Sequence, residues 1–195
     1  MATSNITFMH TVYHLWLSPF CRTVRIVLAE KNLEFDMHVE KLWERREDFL
    51  ALNPAGDLPV LVEEDGQVLS DANAIVEYLD ETHPEPPLIG RNPAIRAEVR
   101  RLVAWFDKKF DSEVTRNLVD EKIMKRFLGL GEPNSQAIRA GSANIHVHLN
   151  YISYLTEERR WLAGNDFSLA DIAAAAHLSC VDYLGDVPWS DHDAA

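Results

Sequence analysis

Along this chain the period of hydrophobic and polar positions changes once. Residues 11–17 are few, aromatic and β-branched, the composition of a buried strand. Ser18-Pro19 then opens a helix, because serine is a favoured cap and proline at the first helical position gives up no hydrogen bond. Val24, Val27 and Leu28 supply its apolar face, and it runs to Asn32. Leu33, Phe35, Met37 and Val39 alternate with polar residues and predict a second strand. A polar helix over 44–52 stops at Asn53-Pro54. Two apolar runs follow, 58–62 and 68–69, with Asp65-Gly66 between them as a hairpin turn. A helix over 71–81 closes this part. The order is β-α-β-α-β-β-α: a parallel pair joined by a right-handed crossover, then an antiparallel hairpin.

Residues 83–93 carry Pro84, Pro86, Pro87, Pro93 and Gly90, which marks a linker. Beyond it the strand pattern disappears. Val99, Leu102, Val103, Phe106 and Phe110 recur at helical spacing, as do Ile145, Leu149, Ile152 and Leu155. Residues 129–134 interrupt these helices. Ser168 and Asp171 then form a capping-box signature, with Phe167 placed to staple onto Ile172. The helix they start, 169–183, is almost wholly apolar and predicts the buried centre of a helical half.

Composition narrows the function classes. The net charge of −12 disfavours contact with a phosphate backbone, so no nucleic-acid partner is expected. A basic stripe of Arg96, Arg100, Arg101, Lys108 and Lys109 nonetheless falls in one predicted helix. Only Cys21 and Cys180 are present, far apart, which makes no disulfide framework and fits a reducing cytoplasm. The uncharged run 5–21 has no basic leader and is too short to span a bilayer, so no signal peptide and no membrane insertion are expected. His146-x-His148 faces two ways on a helix, which argues against a metal site, and Gly129-x-Gly131 follows no strand and so makes no dinucleotide fingerprint. Ser18 has no histidine and acid at triad spacing.

Four segments in order carry a resemblance to the glutathione-transferase superfamily: 17–25 (LSPFCRTVR), 53–61 (NPAGDLPVL), 65–79, and 162–172 (LAGNDFSLADI). The fold this implies is α/β plus all-α. Residues 1–82 would form a thioredoxin-like domain, 83–93 a linker, and 94–195 an all-helical domain lacking a last helix and tail after Trp189. By the same resemblance Ser18 occupies the catalytic serine's place and donates a hydrogen bond to the glutathione sulfur. A helix dipole and a hydroxyl together favour thiolate there; capping the helix is the other role open to the same residue. Cys21 lies where a glutaredoxin-type pair keeps its second cysteine, or is simply a small buried residue. Pro59 corresponds to a cis-proline, with the Leu58 backbone pairing to glutathione as an added strand.

One position departs from the family pattern. Its members present an acidic residue followed by serine or threonine to the γ-glutamyl end of glutathione, and here the pair is Asp71-Ala72. The lost hydroxyl corresponds to roughly 1.5–3 kcal/mol, or ten- to hundredfold weaker binding, so no cofactor is required and glutathione binding is expected to be weak. A narrower resemblance, in 13–21, 101–107 and 173–189, is to a non-catalytic, dimeric, cytoplasmic division-protein branch that binds filaments of the tubulin homologue FtsZ at the division site. Arg96, Arg100 and Arg101 are the candidate partner-binding residues, and a solvated helix face is the other reading of them. A serine-type transferase conjugating glutathione to small electrophiles is the alternative function.

Overall fold

The computed structural model describes residues 9–192 and divides the chain into two compact units, Met1–Pro86 and Pro87–Ala195. In the first unit β1 (His10–His14) leads into helix α1 (Pro19–Glu30), β2 (Phe35–Val39), a 3-10 turn (Leu42–Glu44) and helix α2 (Glu47–Leu52). Strands β3 (Val60–Val62) and β4 (Val68–Ser70) and helix α3 (Ala72–Thr82) complete it. The sheet order is β2-β1-β3-β4, with β2 parallel to β1 and the other neighbours antiparallel. This is the thioredoxin-like arrangement. Val12, Val24, Val27, Leu28, Leu61, Ile75 and Leu79 are fully buried, so the core lies between the sheet and the adjacent pair α1 and α3. Phe49 of α2 packs beside Tyr13, ring centroids 5.8 Å apart.

Elements end earlier than their apolar runs. β1 stops at His14 because residues 15–17 form the turn into α1, and α1 stops at Glu30 because Asn32 takes a left-handed φ of 54°. The polar stretch from residue 44 is helical only from Glu47; before it Arg45, at φ 46°, ends the 3-10 turn. Period-two alternation ordinarily marks one buried face. β2 is instead an edge strand whose Met37 and Val39 are half exposed.

Lys31 is the larger surprise. Its ammonium is buried and donates to Asp80 Oδ1 (2.5 Å), the His83 carbonyl (2.6 Å) and the Pro86 carbonyl (2.7 Å). Three acceptors for three N–H groups leave the buried cation fully satisfied. They also fasten the end of α3 and the chain after it to α1.

The second unit is helical. Helix α4 (Pro93–Ala104) is capped by the Asn92 side chain and passes into a π-helical stretch, Trp105–Met124, then α5 (Lys125–Leu128). Helices α6 (Ser135–Thr156) and α7 (Leu169–Asp182) and a 3-10 turn (Trp189–Asp191) follow. In the π-helical stretch the buried residues are Phe106, Phe110, Asp111, Val114, Thr115, Leu118 and Val119. Gly129, left-handed at φ 65°, closes α5, and Asn134 caps α6.

Ser168 and Asp171 form the reciprocal capping box. Asp171 also accepts the Leu162 N–H at 2.9 Å, tying the 161–164 turn to the helix start. The alanines of α7 let it lie at the centre: Ala170, Ala173, Ala176 and Cys180 have no exposed surface. Gly141 of α6 sits where a Cβ would stand 2.9 Å from both Asn117 Cβ and Leu118 Cγ. Among the described residues no helix is long and apolar enough to cross a membrane.

Candidate functional site

The register of the first unit gathers the sequence-predicted residues at one end of its sheet. Tyr13 is opposite Val60, and Val60 is opposite Ser70. The chain just beyond Tyr13 (the turn to Ser18), the chain just before Val60 (Leu58-Pro59) and the chain just after Ser70 (Asp71-Ala72) therefore leave the sheet at the same edge. This brings Ser18, Leu58, Pro59, Asp71 and Ala72 to one rim.

Ser18 is the N-cap of α1. Its hydroxyl oxygen accepts the Cys21 N–H at 3.3 Å, and the same hydroxyl is within hydrogen-bonding reach of the Cys21 thiol. The capping role foreseen for it is the one its hydrogen bond shows. Cys21 is completely buried, and burial pushes its thiol up, with the Ser18 hydroxyl opposing less strongly. Cys21 is a buried free thiol, held in its protonated form.

The turn before Ser18 contains residues that sequence reasoning passed over. His14 is fully buried, and neither ring nitrogen has a hydrogen-bond partner among the described residues. Burial first, and the Arg25 charge second, lower its pKa, which keeps the imidazole neutral. Its ring meets Trp16 edge-on at 4.7 Å and 86°. Arg25 lies over the Trp16 indole at 5.3 Å, and Arg22 holds the Trp16 carbonyl at 3.1 Å. Trp16 is thereby fixed while remaining more than half exposed beside Ser18. The available signal was a histidine alternating in phase with Val12 on a buried strand.

Leu58 is presented by a loop built on Asn53, whose side-chain amide donates to the Asp57 carbonyl (3.0 Å) and carboxylate (2.6 Å). Gly56 permits the turn at φ 68°. The Leu58–Pro59 peptide bond is cis.

Asp71 carries the chemistry that matters most here. It sits at φ 74°, a conformation costing a non-glycine residue on the order of 1–3 kcal/mol. Its Oδ1 accepts the N–H groups of Asn73 (2.9 Å) and Ala74 (3.0 Å). These are two of the donors that a helix start offers to an anion, and Asp71 holds both with its own carboxylate. Ala72, buried and without a hydroxyl, offers no side-chain replacement.

The three candidate arginines are exposed on α4. Arg96 donates to the Gly90 carbonyl at 2.9 Å. Arg101 forms a bidentate pair with Glu98 (2.8 and 2.9 Å) and donates to the Tyr151 hydroxyl at 2.9 Å. Glu98 also accepts from Arg159 at 2.9 Å, and these bonds, that from Arg101 first, pull its carboxyl down to about 2. Lys109 pairs with Glu113 and lies over the Trp105 ring. The basic stripe is therefore partly neutralised by its own acidic neighbours at i,i+3 and i,i+4 spacing.

The two histidines of His146-x-His148 do diverge. His148 is buried, accepting the Trp105 indole N–H at Nδ1 (3.1 Å), which leaves Nε2 to donate to Glu113 (3.1 Å). His146 pairs with His192 at 2.9 Å. Among the described residues no group of three or more His, Cys, Asp or Glu is placed to hold a metal ion.

A thioredoxin-like unit with a serine-capped first helix, followed by a helical unit, is the build of a glutathione transferase. The family profile "Glutathione S-transferase, N-terminal domain" matches residues 17–82, and the chain belongs to the glutathione S-transferase family. Within that family the chain is 50% identical over 188 residues to "FtsZ-localized protein A" of Caulobacter vibrioides, covering 95% of this chain and 82% of that protein. The solved structure of FzlA from C. crescentus superposes with a TM-score of 0.91 at 49% identity, over 95% of this chain and 84% of that one. A glutathione S-transferase structure from Rhodospirillum rubrum F11 superposes with a TM-score of 0.93 at 57% identity, over 95% and 83%.

Proposed function

We propose that this protein is a non-catalytic, glutathione-transferase-like division protein that binds FtsZ filaments as a cytoplasmic homodimer at the division site. The observation that carries the reading is the 50% identity to FtsZ-localized protein A along nearly the whole chain. The chemistry of the rim supports it. Asp71 holds the Asn73 and Ala74 N–H groups, and position 72 has no hydroxyl, so glutathione binds weakly and is not required. Arg96, Arg100 and Arg101 are the proposed contacts to an acidic partner surface.

Co-sedimentation tests this. Purified protein is expected to pellet with assembled FtsZ, and Arg96→Glu with Arg100→Glu to reduce the pelleted fraction several-fold. Protein that stays in the supernatant at all FtsZ concentrations overturns the reading.

The alternative, a serine-type transferase acting on small electrophiles, is favoured by the serine at the start of α1 and by the 57% identity to the Rhodospirillum rubrum transferase structure. Glutathione-dependent turnover that disappears in Ser18→Ala would establish it.

A further inference from the structure

β2 ends the sheet, paired on one side with β1 and with no other strand among the described residues. The Glu40 N–H donates to the His14 carbonyl at 3.1 Å. Backbone groups alternate sides along a strand, so those of Asp36 and His38 also face β1, while those of Phe35, Met37 and Val39 face outward. The strand, Phe35-Asp36-Met37-His38-Val39, contains no proline and no lysine, the residues that usually blunt an open edge. Met37 is 50% and Val39 42% exposed. Arg25, whose Nη1 lies 4.0 Å from Met37 Sδ, joins Met37 to the exposed Trp16 in one patch.

We propose that β2 pairs antiparallel with β2 of a second copy of this chain, about a two-fold axis at Met37. The sequence is self-complementary in that register. Met37 faces Met37, Phe35 faces Val39, and Asp36 faces His38 on both sides of the axis. Every outward backbone group then belongs to a pair that exchanges both hydrogen bonds. The carboxylate–imidazole pairs lie on the α2 face, where the His38 ring meets Tyr13 at 4.8 Å, and the apolar pairs lie on the α1 face. Glu34 comes opposite Glu40, but Glu40 is already neutralised by Arg46, whose Nη2 is 2.7 Å away.

Neighbouring registers are worse. An axis at Phe35 sets Asp36 against Glu34, and an axis at Val39 carries the pairing past the strand end. Such an isologous contact is distinct from the dimer implied by family resemblance, in which the first domain of one subunit meets the helices of the other.

Single cysteines test the register in the full chain, because the native Cys21 and Cys180 are both buried. Under mild oxidation Met37→Cys is expected to yield disulfide-linked dimer, since directly paired Cα atoms lie about 5.5 Å apart, inside the disulfide range of about 4.4–6.8 Å. Val39→Cys separates the two sulfurs by four residues of strand, roughly 13 Å, and Val68→Cys marks the opposite sheet edge. Each should crosslink at least fivefold less. Asp36→Lys in the Met37→Cys background should lower the yield several-fold, and Asp36→His with His38→Asp should restore it. Met37→Cys that stays monomeric on a non-reducing gel overturns the proposal. So does equal crosslinking by all three cysteines, which would mark random collision.

Discussion

Lys31→Met tests the most heavily committed side chain of the first unit. Methionine keeps most of the apolar stem and removes the ammonium, so Asp80 Oδ1 and the carbonyls of His83 and Pro86 lose their donor together. Each hydrogen bond to a charged group is worth about 1.5–3 kcal/mol. Three of them share one cation and do not add, and methionine recovers part of the loss by packing. Breaking a buried ion pair by removing one partner costs about 3–5 kcal/mol, and that is the loss expected here. For a chain of this length it corresponds to a fall in Tm of roughly 6–20 °C, at about 2–4 °C per kcal/mol. Urea unfolding followed by far-UV circular dichroism measures the first quantity and calorimetry the second. A Lys31→Met/Asp80→Asn double-mutant cycle isolates the pair, with an expected coupling of about 1–3 kcal/mol. A loss below about 1 kcal/mol, or no coupling, would refute the view that this ammonium fastens α3 and the chain behind it to α1.

Other positions give sharper signs than sizes. Asp71→Gly relieves the φ of 74° and keeps a tolerated cap, so stability in urea should equal or exceed wild type; Asp71→Ala keeps the strain and loses the cap, costing about 1–2 kcal/mol. Gly141→Ala drives a Cβ into Asn117 and Leu118 and should cost about 1–3 kcal/mol, measured the same way. Glu98, held at about 2 in the folded protein, has a depressed pKa. Its contribution is therefore present above the ordinary carboxylate range and is lost as pH falls toward 2. In acid titrations followed by circular dichroism, Glu98→Gln should begin less stable than wild type at neutral pH and converge with it below about pH 3.

How far the sequence reached is visible residue by residue. Ser18, Asp65-Gly66 and Ser168 with Asp171 act through neighbours two or three positions away, and local pattern is enough to place them. The parallel pair and the antiparallel hairpin followed from those local units, whereas the pairing of β3 with β1 did not. What escaped was long-range or collective. Lys31 meets Asp80 49 positions along the chain. The exposure of β2 depends on which strand stands at the sheet edge. The hydrogen bond from Arg101 to the Tyr151 hydroxyl spans 50 positions. The π-helical winding left no such mark, because an interval of four through Phe106, Phe110, Val114 and Leu118 lies almost equally far from either period. Of the rim, residue types and strand ends were readable. That Asp71 occupies its own helix start became visible only with its backbone angle and its two hydrogen bonds.

That rim is most directly tested by calorimetric titration of reduced glutathione into wild-type protein and into Ala72→Ser. With no hydroxyl at position 72, wild-type protein should bind weaker than the micromolar range, and the serine variant ten- to hundredfold tighter. Micromolar affinity in the wild type, unchanged by the added hydroxyl, would contradict the account.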